Sequence, residues 1–382
     1  MVTCLRGEIA SLGKRHRESH RALLNVLEPL VDAVVVPASR PVEHLAVASR
    51  TAEALGARLV ALCSRDAKSA EFSVWVSERP ALRWLAIDIP TDYQHPWLHF
   101  TTSRITEAKV KRLGDLSLKR NLGVLLARLQ GWRSVLFLDD DIDKVDEAAL
   151  WRGAAALGVE SMVGLPVDHY PDNSVVCHAN RHSGGGQETF VSGAALLVDC
   201  RQVNSFFPEV YNEDWMFLCR SLAKRKVAAT GSVSQIEYDP FAEPDRAGDE
   251  EFGEVLAEGL TNLMHPSSSA ADLVALDIPD TAFHVEYWRL FLRARARFIE
   301  QIISRIENRP PSDATSAALV SLKVAEDRRS GLSAEQCAAY LTTWKRDTDD
   351  WCMRLHTLQR LSSVRQALAA LDLLEHAASP QL

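Results

Sequence analysis

The sequence predicts an α/β protein with a mainly parallel central sheet, followed by a helical C-terminal region. Two observations carry this expectation, and a third places its functional edge. Short apolar runs alternate with stretches of helical periodicity through the first half of the chain. From about Phe283 onward only helical patterns remain. The apolar run at residues 134–138 delivers three adjacent carboxylates, Asp139, Asp140 and Asp141, to the carboxyl end of a buried strand. In an open α/β sheet that edge is where ligands bind.

Taken in order, residues 1–30 are charged and helical in character and read as an N-terminal helix. Residues 33–36 form the first strand, stopped by Pro37. Ser39 is placed to cap a helix over about 41–55, with Pro41 in its first turn. Residues 58–62 are the second strand, and strand, helix and strand in that space make a parallel βαβ unit. Residues 84–89 give a third strand, closed by Pro90. Leu118, Leu122, Leu125, Leu126 and Leu129 recur at helical spacing before Gly131, which ends the helix. The fourth strand, 134–138, is apolar on both faces.

The second half of the domain is less regular. Residues 161–165 read as a strand, 166–180 as a loop, 182–186 (HSGGG) as a flexible segment and 194–198 as another strand. A helix over 215–224 follows, with Glu213 and Asp214 at its N-terminus as the helix dipole favours. Residues 238–251 are polar and rich in turn formers, and 252–263 are helical up to His265. Residues 266–280 shift to Ser, Ala, Asp and Pro, a linker composition. Helices are then expected over 283–307, 333–361 and 363–374, with Trp344 and Trp351 packing from one face. The expected organisation is an N-terminal helix (1–30), a sheet domain (31–265), a linker (266–281) and a helical C-terminal domain (282–382).

The bulk properties exclude several classes. With 382 residues, 47% hydrophobic and 25% charged, the composition is that of a globular protein. A net charge of −8 argues against general nucleic-acid binding. No apolar run is long enough to span a bilayer, and the N-terminus lacks the hydrophobic stretch of a signal peptide, so a cytoplasmic protein without a transmembrane segment is expected. The seven cysteines are scattered without a CxxC pair, which points to reduced thiols rather than zinc or disulfides. Neither GxGxxG nor GxxxxGK[ST] is present.

Three adjacent carboxylates repel one another unless a cation lies between them. Hard oxygen donors suit Mg²⁺ or Mn²⁺, ions that share their shell with substrate phosphates. Ser64, Arg65 and Asp66 follow the second strand at the same edge. The chemistry expected there is a divalent cation holding a phosphorylated ligand.

KRN at residues 119–121, the helix after it and VLFLDDDI together resemble the core of the GT-A glycosyltransferases, family 2 especially. The stretch SGAALLVD from Ser192, followed by NEDW from Asn212, is similar to that family's acceptor-side strand and ED motif. The resemblance covers roughly residues 30–265 in the right order. It implies a Rossmann-like GT-A fold and transfer of a sugar from a nucleoside-diphosphate sugar, UDP- or GDP-linked, to a small-molecule or glycan acceptor, with a homodimer as one arrangement. It assigns Asp139 and Asp141 to the metal and donor diphosphate, with Asp140 supporting. Pro37, Ala38, Ser39 and Arg40 fall in the first turn of the donor pocket, and Ser64 and Asp66 in the second. Arg120 and Asn121 match the family's RN pair, and Gly193 lies on the donor side. His265 matches a histidine that completes the metal shell in many members. In inverting members the ED aspartate deprotonates the acceptor, which points to Asp214 with Glu213 beside it.

Two departures stand out. The second strand ends Cys63-Ser64-Arg65-Asp66 rather than in an Asp-rich turn, and the first turn reads PASRP. Both leave the nucleotide base open, and Arg40 and Arg65 become candidates for phosphate or an anionic acceptor. A phosphatase of the haloacid-dehalogenase type is the rival reading, since Asp141-Ile142-Asp143-Lys144-Val145 fits its DxDx[TV] pattern. That motif normally follows the first strand of its domain, and here it follows the fourth. A non-catalytic GT-A-like binding protein is the third reading. A sugar-1-phosphate nucleotidylyltransferase would need a glycine-rich loop near the first strand, and none is found.

Overall fold

A computed structural model of the chain describes residues 31–107, 114–168, 170, 173–186, 190–264 and 277–380. The expected N-terminal helix, His265 and most of the expected linker lie outside the described residues.

The first βαβ unit forms as the apolar runs dictate. Strand β1 (Ala33–Ala38) is joined through a short 3-10 turn to helix α1 (Ala46–Leu55), which leads to β2 (Arg58–Cys63). Strand β1 runs on through Pro37, which lies opposite Leu62. Its pairing with the fourth strand has ended by then, so the proline removes no bond from that ladder. Helix α2 (Ser69–Trp75) leads to β3 (Arg83–Asp88), and helix α3 (Thr101–Glu107) follows. Helix α4 (Leu116–Gln130) ends at Gly131 in the left-handed conformation and feeds β4 (Ser134–Leu138).

A small hairpin-like sheet then branches off. It holds β5 (Ile142–Val145), β7 (Val167–Asp168) and β10 (Val233–Gln235), in the order β5-β10-β7. Between these lie α5 (Glu147–Ala156), β6 (Met162–Gly164), α6 (Val175–His182), β8 (Ala195–Asp199), α7 (Glu213–Ala223) and β9 (Val227–Ala229). Helix α8 (Asp245–Met264) closes this part. The C-terminal region comprises α9 (Val285–Glu307), α10 (Asp313–Ser330), α11 (Ala334–Thr357), α12 (Val364–Ala370) and a short strand β11 (Ala377–Ala378).

The central sheet has the order β11-β3-β2-β1-β4-β8-β6-β9. Strands β3, β2, β1 and β4 are parallel, and β8 and β11 are antiparallel to their neighbours β4 and β3. The molecule is therefore α/β with a mostly parallel central sheet. Side chains alternate across it with the period of a strand: Val34 and Val36 join the core under α1, α2 and α5, while Ala33 and Val35 join the core under α4, α7 and α8.

Two expectations about the second half of the sheet domain are corrected. The stretch expected as a loop at 166–180 contains helix α6, capped by the Ser174 hydroxyl on Cys177 N–H. The HSGGG segment is a hydrogen-bonded continuation of that helix's end, with Ser183, Gly184 and Gly185 N–H groups bonded to Ala179, Arg181 and Asn180 carbonyls. The C-terminal helices share their core with the sheet: Trp344 and Trp351 are fully buried, and Phe100 stacks on Phe206 and meets Trp351. Strand β11 extends the sheet edge itself. Among the described residues no helix is long and apolar enough to cross a membrane.

Candidate functional site

The chain leaves β1 in one direction, through β2 and β3, and returns to β4 on the other side of β1. That reversal makes the loops at the carboxyl ends of β1 and β4 the switch point at which open α/β sheets bind ligands. Ser39 and Arg40 occupy one lip, and Asp139 to Asp141 the other.

Asp140, the middle acid, joins the lips. It is buried, and its Oδ2 accepts the N–H of Ser39 at 2.6 Å, the N–H of Arg40 at 2.9 Å and the Ser39 hydroxyl at 3.3 Å. The Arg40 guanidinium pairs with Asp140 Oδ1 and reaches Asp141 Oδ2 at 3.2 Å. Ser39 was expected to cap a helix; instead its polar groups turn across the crevice to Asp140. Burial opposes the Arg40 charge, but Asp141 and Asp140 more than offset it and raise its pKa.

Beneath the first two loops lies Lys119, the first residue of the KRN run and without a role in the sequence pattern. Its ammonium is buried and donates to Ala38 C=O at 2.7 Å and Ser64 Oγ at 2.7 Å, with Asp115 at 3.2 Å. Backbone bonds from Ser64 N–H to Ala38 C=O and from Asp66 N–H to Ser39 C=O tie the same loops together. Burial lowers the Lys119 pKa, and Asp115 opposes that shift. Asp66 itself is exposed, and Ser64 is half-buried. The signal that could have found Lys119 is the run of three polar residues, 119–121, in a helix buried nearly all round.

Arg120 organises the other side. Its Nη2 meets both oxygens of Asp139 at 2.8 and 2.9 Å, and its Nη1 pairs with Glu213. It lies over the Phe207 ring, 5.6 Å from the centroid. Gly193 has no side chain because there is no room for one: a Cβ there would come within 2.6 Å of the Arg120 guanidinium. Gly193 N–H is free to donate to Asp214 Oδ2 at 2.5 Å, while Trp215 N–H takes Asp214 Oδ1 at 2.8 Å. Helix α7 starts from Asn212, whose left-handed backbone (φ 57°) turns Glu213 and Asp214 toward this centre. Asn121 faces elsewhere: its amide makes a reciprocal pair with the Phe207 backbone, at 2.8 and 2.9 Å. Its work is to hold the loop that carries Phe207.

One guanidinium thus faces three carboxylates in a buried setting. Burial opposes the Arg120 charge, yet Asp139, Glu213 and Asp214 raise its pKa overall. Burial pushes the Glu213 carboxyl up to about 8; Arg120 opposes this and Asp214 adds to it. The folded state therefore holds a proton that the unfolded chain, with its ordinary carboxyl, releases above pH 4.5. Stability from this group is complete below about pH 4.5 and is lost as pH rises toward 8. Glu213→Gln keeps the shape and removes that loss. The stability difference between variant and wild type, followed by urea unfolding, should move in favour of Glu213→Gln between pH 5 and 8. A difference that stays flat over that range would refute the buried proton.

The acids expected on the metal are divided by this geometry. Asp139 is engaged by Arg120, whereas Asp141 stands beside Arg40 and Gln235. Gln235, which the sequence gave no reason to single out, ends β10 and donates its Nε2 to Asp141 Oδ2 at 3.1 Å. Gln235 is only 5% exposed, and its Oε1 is buried without a hydrogen-bond partner among the described residues. An orphaned amide oxygen of this kind costs about 1–3 kcal/mol, so an oxygen-binding ligand beside Asp141 fits the residues present.

Among the described residues, the potential metal-ligand atoms that gather within 4.8 Å of one another belong to Cys177, Glu254 and Glu258. That cluster is already satisfied. Glu254 accepts from Ser174 at 2.6 Å, Asn212 at 2.6 Å and the Cys177 thiol at 3.3 Å, and Arg295 reaches Glu258 at 3.0 Å. Its role is to fasten α6 and α9 to α8 by buried charge.

Comparison of the chain with protein-family models and with curated proteins finds no match.

Proposed function

We propose that this chain is a divalent-metal-dependent glycosyltransferase of the GT-A type, moving a sugar from a nucleoside-diphosphate sugar to a hydroxyl acceptor. One observation carries the proposal: Arg120 and Gly193 physically join the acids after β4 to Glu213 and Asp214 of α7. A donor-side acid cluster and an acceptor-side carboxylate pair in one crevice are what such a transfer requires.

In this proposal the nucleotide lies over the loops after β1 and β2, which Lys119 holds in register. Arg40, 43% exposed at its side chain, is long enough to leave the aspartates for the diphosphate. Asp141 holds Mn²⁺ or Mg²⁺, with His265 as the further ligand implied by the resemblance. Bound there, the ion would supply positive charge to balance that of the departing nucleoside diphosphate. Asp139 keeps Arg120 turned toward Glu213 and fixes the distance between the two halves. Asp214, aimed by two backbone N–H groups, takes the acceptor proton as the new glycosidic bond forms. The phosphatase alternative asks Asp141 and Asp143 to share a shielded pocket, and Asp143 is exposed on β5.

The test is a thermal-shift titration with UDP and GDP, with and without Mn²⁺. Wild type should be stabilised by one of them only when Mn²⁺ is present, by about 2.7 kcal/mol at a hundredfold excess over Kd. Asp141→Ala should lose the Mn²⁺-dependent part entirely. Unchanged Mn²⁺-dependent binding in the variant would remove Asp141 from the site, and hydrolysis of phosphate monoesters without donor binding would replace the proposal.

A further inference from the structure

The buried orphan on Gln235 leads beyond that proposal. Strand β10 runs antiparallel to β5, with Gln235 opposite Ile142 and the register slipping between Ser234 and Gln235. Ile236 N–H bonds to the Asp141 carbonyl at 2.9 Å. These bonds fix the Gln235 side chain against the Asp141 carboxylate, where Nε2 lies 3.1 Å from Oδ2. The other end of the amide, Oε1, is buried, and among the described residues it has no hydrogen-bond partner. An apolar residue would suit a buried strand end better, and an unsatisfied buried polar group calls for a partner.

An amide presents two ends of nearly equal shape, and rotation about its last bond exchanges them. Rotated, the carbonyl oxygen would stand where Nε2 now is, 3.1 Å from Asp141 Oδ2. Two oxygens that close repel one another unless a cation lies between them. They also match the edge of an octahedron with bonds near 2.1 Å, which is about 3.0 Å long. We propose that Gln235 is a second protein ligand of the divalent ion beside Asp141. Without the ion its amide N–H holds Asp141 in place; with the ion the amide turns and offers its oxygen, and the NH₂ takes the buried position that Oε1 held. The inference rests on the metal-dependent reading of the crevice. A neutral ligand adds no negative charge, so the remaining positions stay open to the oxygens of a diphosphate.

The experiment measures Mn²⁺ binding directly, by the electron paramagnetic resonance signal of free Mn²⁺, alone and with UDP or GDP. Melting temperatures are recorded in parallel in chelator and in Mn²⁺. Gln235→Leu should weaken Mn²⁺ binding by at least about tenfold. Gln235→Glu can offer only oxygen. It should bind Mn²⁺ at least as tightly as wild type, melt lower in chelator because two carboxylates then face each other, and gain more from Mn²⁺ than wild type does. Ser234→Glu, the same charge at the neighbouring position, should leave Mn²⁺ affinity unchanged. If Gln235→Glu weakens binding as Gln235→Leu does, Gln235 only orients Asp141 and the proposal falls. It also falls if Gln235→Leu binds like wild type while Asp141→Ala does not, or if Ser234→Glu tightens binding as much as Gln235→Glu. Absence of Mn²⁺ binding by wild type overturns the metal-dependent reading, and this inference with it.

Discussion

Arg120→Met should destabilise the fold by about 3–5 kcal/mol, the cost of removing one partner from a buried ion pair. Against a total stability of about 5–15 kcal/mol that is a large share. The methionine fills the space, so the loss is electrostatic: Asp139, Glu213 and Asp214 would face one another without the cation that meets them now. Carboxylates left in that position take up protons, so the deficit should shrink as pH falls. Adding Glu213→Gln removes the cost of keeping that carboxyl protonated, which grows once Arg120 no longer opposes it, and should recover part of the loss, a coupling that a double-mutant cycle in urea unfolding measures directly. A loss below about 1 kcal/mol for Arg120→Met, in the range of an exposed ion pair, would mean that water reaches the cluster and that the centre is not buried.

The backbone frame was legible because each central strand is an apolar run bounded by a turn former. The position of the acids was legible because residues 134–138 are a strand under any reading of their composition. What could not be read was where polar side chains go once the helices pack. Lys119 meets Ala38 and Ser64, and Asn121 meets Phe207; such partners, distant along the chain, leave no local pattern. Residues 238–251 read as polar and rich in turn formers, yet α8 begins at Asp245 and buries Glu250, Glu251 and, one turn on, Glu254. Arg246 and Arg295 meet them there, and Arg295 comes from a helix expected to belong to another domain. Gln235 sits on a strand of three residues, too short for any periodicity. Strand β11 is two alanines, visible only because β3 offers an open edge.

Asp214→Asn should lower sugar transfer by about 10²–10⁴-fold, the range for loss of a general base, while binding of the nucleoside diphosphate with Mn²⁺ is retained. Both Asp214 oxygens accept backbone N–H groups, from Gly193 and Trp215. In the variant one of those donors faces an amide NH₂, so a modest stability loss is expected as well. Retained donor binding is what separates lost chemistry from lost structure. The pH profile separates them further: protonation of Asp214 should give the acid limb of kcat/KM in wild type, and that limb should be missing from the residual activity of the variant. The two N–H donors favour the charged form of the carboxylate and hold its plane. That suits a group waiting for an acceptor hydroxyl, and it suits a purely structural clamp on Gly193 equally well. Turnover near the wild-type level would decide for the clamp. It would leave Asp214 holding Gly193 against Arg120 and would point to a retaining mechanism, in which this carboxylate does not act as base.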